Sequence, residues 1–211
     1  PRARLPLLAL GFVALLTGVF AGLARLGVAV DAKAASLAGF HGPLMVAGFF
    51  GVVISLERAV AAARLWAYAA PLACGLAGIA IFAGEPSVAA GLATLGAAIL
   101  AFASFRFVAM QPEAHTMTIA AGAAALAAGN LVWYATGQPS AAVPAWAAFL
   151  VLTIAGERLE LSRFLPRSTP VRATFVAIAV AIGMSAVLAS DPRGARAFGA
   201  ALLALAAWLA V

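Results

Sequence analysis

The chain has 211 residues, of which 65% are hydrophobic and 9% are charged. A soluble domain is typically about 45–50% apolar and about 25% charged, so this composition excludes an ordinary soluble enzyme and a disordered chain. The formal charge of +6 comes from single basic residues at the ends of apolar segments, which is the pattern of membrane topology rather than of a nucleic-acid-binding surface. We therefore predict an all-α, polytopic transmembrane helix bundle whose partner is the lipid bilayer and not nucleic acid.

Charged, proline-rich and glycine-rich clusters divide the chain into about eight helices. The predicted helices are Leu5–Leu26, Leu37–Ala63, Leu65–Ala83, Val88–Ala109, His115–Thr136, Ala141–Ser162, Val171–Ala189 and a last one from Ala195, which we expect to be truncated at Val211. Their apolar runs are continuous rather than alternating, which excludes a closed barrel of strands. We expect residues 1–211 to form a single integral membrane domain and to be a fragment of a longer chain.

The distribution of basic residues predicts an orientation. Nine of the thirteen, among them Arg2, Arg163 and Arg167, lie on the side of the N-terminus, and four lie on the other side. Because cytoplasmic loops carry the excess of Lys and Arg, we predict a multi-pass protein of the bacterial inner membrane with a cytoplasmic N-terminus.

Two helices share a short pattern that suggests an internal repeat. Ile54 and Ile154 each begin an Ile-x-x-Glu-Arg sequence, and the two copies lie 100 residues, or four helices, apart. A spacing of four helices gives both copies the same orientation in a membrane, so a parallel repeat of four plus four helices, 5–109 and 115–211, is a candidate architecture.

The same pattern supplies a candidate ion-pair network, which consists of Glu57, Arg58, Glu157, Arg158 and Glu160. Neighbouring residues on a helix point about 100° apart, so Glu57 would pair with Arg158, and Glu157 with Arg58, only if their helices touch. A structural network with snorkelling arginines is the favoured interpretation. The alternatives are salt bridges to haem propionates, or a proton or anion route in a proton-coupled transporter.

The first candidate metal or cofactor site is His41 with Met45, at the beginning of the second helix. A separation of four residues places both side chains on one helix face, and imidazole with thioether is a ligand set for haem iron or Cu(I). Pro43 fits the first helical turn, where an N–H is not needed. The alternative is an interfacial histidine beside a methionine that only fills the core.

A second, weaker metal site would use Met110, His115 and Met117. The favoured alternative is a capped helix start near Glu113, whose charge suits the helix N-terminus. Because the topology puts His115 on the opposite membrane face from His41, we do not expect one metal to bind both.

Other singled-out residues have structural interpretations. Cys74 is expected to be a small buried apolar residue, and Gly18 with Gly22 is expected to allow close helix packing. Asn130 predicts a hydrogen bond between helices. An aromatic belt at the membrane interface is expected to account for the aromatic residues Trp133, Tyr134 and Trp146.

The segment 40–49 resembles the NnrS family at His41, Met45, Gly48 and Phe49. Members of this family are polytopic proteins of the bacterial inner membrane that are linked to the nitric oxide response and contain haem and copper. The resemblance implies that His41 is a haem or metal ligand and Met45 a second ligand. The chain departs from the family at Pro43, where a second histidine is common, and at residues 56–60, which replace an aromatic run.

These observations lead to three functional hypotheses. The first is an NnrS-like protein that binds haem or copper in the nitric oxide response or in respiratory metabolism, without a predicted catalytic residue. The second is a non-catalytic subunit or assembly factor of a larger membrane complex, in which case no cofactor is expected. The third is a proton-coupled transporter.

Overall fold

The computed structural model describes residues 4–162, 169–189 and 191–210. The basic residues Arg2, Arg163 and Arg167 lie outside these ranges, as does most of the predicted break from Pro166 to Pro170. The described residues confirm the all-α prediction, because about 90% of them are helical and no strand occurs among them.

The helices follow the predicted segments closely. They are α1 Leu5–Arg25, α2 Ala32–Ser36, α3 Ala38–Ala62, α4 Leu65–Ala83, α5 Pro86–Met110, α6 Ala114–Thr136, α7 Pro139–Leu161, α8 Thr169–Leu188 and α9 Pro192–Leu209. The predicted ends of the long helices lie no more than three residues from these bounds. The short helix α2 was not predicted, although Asp31 is a typical N-cap residue and accepts hydrogen bonds from the backbone N–H groups of Lys33 and Ala34.

Seven of the described helices are long and apolar enough to cross a membrane, namely α1 and α3 to α8. The chain therefore has the helices of a multi-pass membrane protein. The eighth predicted segment also forms a helix, α9, but it is not among these seven in the part of the chain that the structure describes. Arg193 and Arg196 lie in its first turns and lower its mean hydropathy.

The residues form two compact units. The first contains residues 4–103 and 127–143, and the second contains residues 104–126 and 144–210, with the gaps given above. The bounds of the helices do not test whether 5–109 and 115–211 are repeats, so the repeat stays a prediction.

In the first unit, α1 packs through very small residues against α3 and α4. A Cβ on Gly48 would lie 2.8 Å from the Cβ of Ala14, and a Cβ on Gly78 would lie 3.1 Å from the same atom. Such close contacts replace the hydrophobic driving force that lipid removes between membrane helices. The helices therefore associate through backbone proximity rather than through large side chains.

The contact of α3, α4 and α5 is centred on Cys74, which is fully buried. A Cβ on Gly51 would lie 3.1 Å from its Sγ, and a Cβ on Gly96 would lie 2.6 Å from it. The prediction that Cys74 is a small buried core residue is confirmed.

The second unit has a core of its own. Phe175 of α8 packs on Trp208 of α9 with ring centroids 4.9 Å apart, and the indole N–H of Trp208 donates to the carbonyl of Val171 across 3.2 Å. Besides Phe175, its buried members are aliphatic residues of α7, α8 and α9, namely Ala148, Leu152, Ala155, Ile182, Ala201 and Leu205, and Trp208 is partly buried against them.

Candidate functional site

His41 is held by a hydrogen bond to α1. Its Nδ1 lies 2.8 Å from the carbonyl oxygen of Gly18. A carbonyl oxygen can only accept, so Nδ1 carries the proton and donates it. The neutral imidazole then has its lone pair on Nε2, which the structure leaves without a hydrogen-bond partner among the residues it describes.

Two glycines of α1 make room for the predicted ligand pair. A Cβ on Gly22 would lie 2.8 Å from Nδ1 of His41, and a Cβ on Gly18 would lie 2.9 Å from Sδ of Met45. His41 and Met45 therefore both face α1, which confirms that they share one side of α3. The prediction that Gly18 and Gly22 allow close helix packing is also confirmed.

The first half of α3, from Ala38 to Phe50, is not a regular α-helix. A 3₁₀ turn, Ala38–Phe40, precedes a short α-helical turn, His41–Pro43, and a π-helical segment, Leu44–Phe50, follows before regular α-helix resumes at Gly51. Pro43 was predicted in the first helical turn, but it is the sixth residue of α3 and the last of the short α-helical turn, because the 3₁₀ turn precedes it. The π-helical turns were not predicted, because the apolar sequence of this segment is equally compatible with an α-helix. Such segments occur frequently at functional sites.

The second predicted site lies in the second unit. His115 is buried, whereas Met110 at the end of α5 and Met117 at the start of α6 are exposed. Thr116 caps the start of α6, because its hydroxyl accepts a hydrogen bond across 3.1 Å from the backbone N–H of Glu113, the residue before this helix. This capping supports the structural interpretation.

Met117 also lines a cavity of about 520 Å³ that the sequence did not indicate. Met184 of α8, which is 67 residues away in the sequence, lines the same cavity. Spacing alone could not reveal this cavity, because residues of α6, α7 and α8 line it together.

The predicted ion-pair residues differ in exposure. Glu57 and Arg158 are exposed, and Glu157 and Glu160 are half-buried with interaction partners. Nε of Arg58 is buried and has no hydrogen-bond partner among the described residues. Glu57 and Arg58 belong to the first unit and the other three to the second, so the pairing of Glu57 with Arg158 and of Glu157 with Arg58 stays a prediction. Within the described ranges, no group of three His, Cys, Asp or Glu side chains could hold a metal ion.

Asn130 makes the predicted bond between helices, because its side-chain amide donates to the carbonyl of Ala93 across 2.9 Å. The aromatic-belt explanation is wrong for Trp133 and Trp146, which are buried, whereas Tyr134 is exposed. Packing against neighbouring helices decides this difference, and the sequence pattern did not resolve it.

The chain was compared with known protein families, curated proteins and solved structures. A family model described as "Domain of unknown function (DUF8744)" matches residues 4–211. No curated protein and no solved structure matches the chain.

Proposed function

The chain belongs to the DUF8744 family, and from the geometry at His41 we propose that it is an NnrS-like protein of the bacterial inner membrane. In this proposal it binds haem or copper and acts in the nitric oxide response or in respiratory metabolism. The excess of basic residues on the side of the N-terminus supports a cytoplasmic N-terminus.

The observation that carries the proposal is the hydrogen bond from His41 Nδ1 to the carbonyl of Gly18, at 2.8 Å. Histidines that bind metals almost always donate their other ring N–H to a carboxylate, a backbone carbonyl or water, which fixes the tautomer and raises the basicity of the ligating nitrogen. His41 has this arrangement, so its Nε2 lone pair suits an iron or copper ion.

Met45 adds a soft donor beside the imidazole. Its sulfur lies at Gly18, one helical turn of α1 away from Gly22, where the imidazole lies. Thioether with imidazole suits haem iron and Cu(I). The residues present therefore fit the proposed group.

A bound haem iron or copper would supply the diatomic-ligand and one-electron chemistry that these side chains cannot perform. The chain's own residues orient the imidazole through Gly18 and keep its Nδ1 protonated. Pro43 and Leu44, which follow His41 in α3, are buried, whereas His41 itself is half-buried.

The test is an absorption spectrum with metal analysis of the purified native protein. We expect a Soret band or stoichiometric copper, most of which is lost in His41→Ala and reduced in Met45→Leu. His115→Ala is the matched control, because it removes the other histidine of the chain and should retain the cofactor. A wild-type protein that is colourless and free of metal, or a His41→Ala variant that keeps its full content, would overturn the proposal.

A second candidate is a non-catalytic subunit of a larger membrane complex, and the exposure of α8 favours it. Of the 18 residues that make up its most apolar stretch, only 17% are buried. Val176, Val180 and Val187 are exposed. This face contacts either lipid or another subunit. Two results would favour this function over the first. A stoichiometric partner should co-purify with the protein and be lost when Val180 and Val187 are replaced by larger residues, and the purified protein should contain no cofactor.

A further inference from the structure

A groove in the first unit lies at the membrane face where α1 and α4 end and α3 begins. Leu16 and Phe20 of α1, Phe82 of α4, and Asp31 and Lys33 at α2 line it, and its volume is about 380 Å³. His41 is not among its lining residues, so the groove is distinct from the site described above.

The groove is polar at one end and apolar at the other. Asp31 and Lys33 lie in the connection outside the membrane spans, whereas Phe20 and Leu16 precede the end of α1 at Arg25 by five and nine residues. At a rise of about 1.5 Å per residue, they lie roughly 7 and 13 Å deeper along the helix. Because Phe20 is 48% exposed and Leu16 is 59% exposed, the protein leaves this apolar end uncovered. This polarity gradient matches an amphipathic ligand that stands upright in a bilayer.

The polar end presents fixed charges of both signs. One carboxylate oxygen of Asp31 accepts from the backbone N–H groups of Lys33 and Ala34 at 2.9 and 3.1 Å, which holds the side chain and leaves its second oxygen available. The ammonium of Lys33 lies 4.9 Å from the ring centroid of Phe82. A cation–π contact of this kind keeps the charge at the rim of the groove.

We propose that this groove binds one glycerophospholipid with an ethanolamine headgroup. The lipid phosphate pairs with Lys33, the lipid ammonium donates a hydrogen bond to Asp31, and an acyl chain lies along Leu16, Phe20 and Phe82. A choline headgroup has no N–H to donate to Asp31, and an anionic glycerol headgroup brings no positive charge to that carboxylate. The charges of the groove therefore favour ethanolamine over both.

The experiment is native mass spectrometry of the purified full chain after exchange into equal amounts of phosphatidylethanolamine, phosphatidylcholine and phosphatidylglycerol. We expect retention of one lipid per chain, with phosphatidylethanolamine enriched several-fold. Asp31→Asn keeps an oxygen that caps α2 but removes the charge, so it should abolish the preference over phosphatidylcholine. Lys33→Gln should lower retention of every phospholipid. Arg25→Gln is the control, since Arg25 is a cation at the same face that does not line the groove.

Equal retention of the three lipids, or wild-type retention in both groove variants, would overturn the proposal. Free phosphoethanolamine should not displace the lipid, and displacement at equal concentration would also overturn it, because the occupant would then be a soluble molecule. Lys33→Gln keeps the test decisive if Asp31→Asn fails to fold, since the Lys33 side chain has no role in capping α2.

Discussion

Gly22 faces the imidazole of His41 so closely that a Cβ on the glycine would lie 2.8 Å from Nδ1 and 2.9 Å from Cε1. Real Cβ atoms do not approach other heavy atoms to this distance. The position of His41 therefore depends on a residue of a different helix that has no side chain at all.

The first prediction is that Gly22→Ala displaces His41 from the carbonyl of Gly18. We expect a loss of about 1–3 kcal/mol in stability from overpacking and, if His41 is a ligand, about a tenfold or greater loss of metal affinity. Thermal unfolding and a titration with the metal measure the two effects. Gly39→Ala is the control, because a Cβ there meets nothing within 4 Å. Equal stability of the two variants would show that the imidazole does not occupy this position.

The second prediction concerns the contact of α6 with α7 in the second unit. A Cβ on Gly156 would lie 2.5 Å from Cγ1 of Ile119 and 3.2 Å from the carbonyl oxygen of His115. Gly156→Ala should therefore destabilise the protein by about 1–3 kcal/mol. Gly183→Ala should be neutral or stabilising by up to about 1 kcal/mol, because a Cβ there meets nothing within 4 Å and alanine is the better helix former. If both variants unfold at the same temperature, the packing at Gly156 is not as described.

The third prediction is a gain in stability at the end of α3. Ala63 has a φ of 50°, in the left-handed region that disfavours every residue with a Cβ. Glycine removes this cost, so Ala63→Gly should stabilise the protein by about 1 kcal/mol. An upward shift of the unfolding temperature checks the prediction. Ala62→Gly, one residue earlier inside the helix, should shift it downward, and the same sign for both substitutions would contradict the left-handed cap.

The fourth prediction is that Cys74 does not react with a maleimide in the native protein. Its side chain is fully buried between glycines of two other helices, so labelling requires those helices to separate. We expect full labelling in denaturant and a labelling rate that follows the unfolding curve. A cysteine introduced at Gly39, which is exposed, should label at once in a Cys74→Ala background. Rapid native labelling of Cys74 would place it at an accessible surface.

Most of the fold was accessible from the sequence because continuous apolar runs and their polar breaks determine where membrane helices begin and end. His41 and Met45 were predicted to share one face because a spacing of four residues has that consequence in any helical turn. The partners of these residues were not predictable. The bond from His41 to Gly18 and the cavity that Met117 and Met184 line both depend on how separate helices pack. The burial of Trp133 and Trp146 has the same origin.

The interior of the first unit has a consequence for how the chain tolerates sequence change. Its buried positions are largely alanine and glycine, among them Ala14, Gly48 and Gly78, so there are few atoms to remove and little space to add any. In a systematic mutational scan, the gain of a single methyl group at the glycine positions of α1, α3 and α4 should therefore be about as damaging as truncation of the few large buried side chains, such as Leu44 and Trp133.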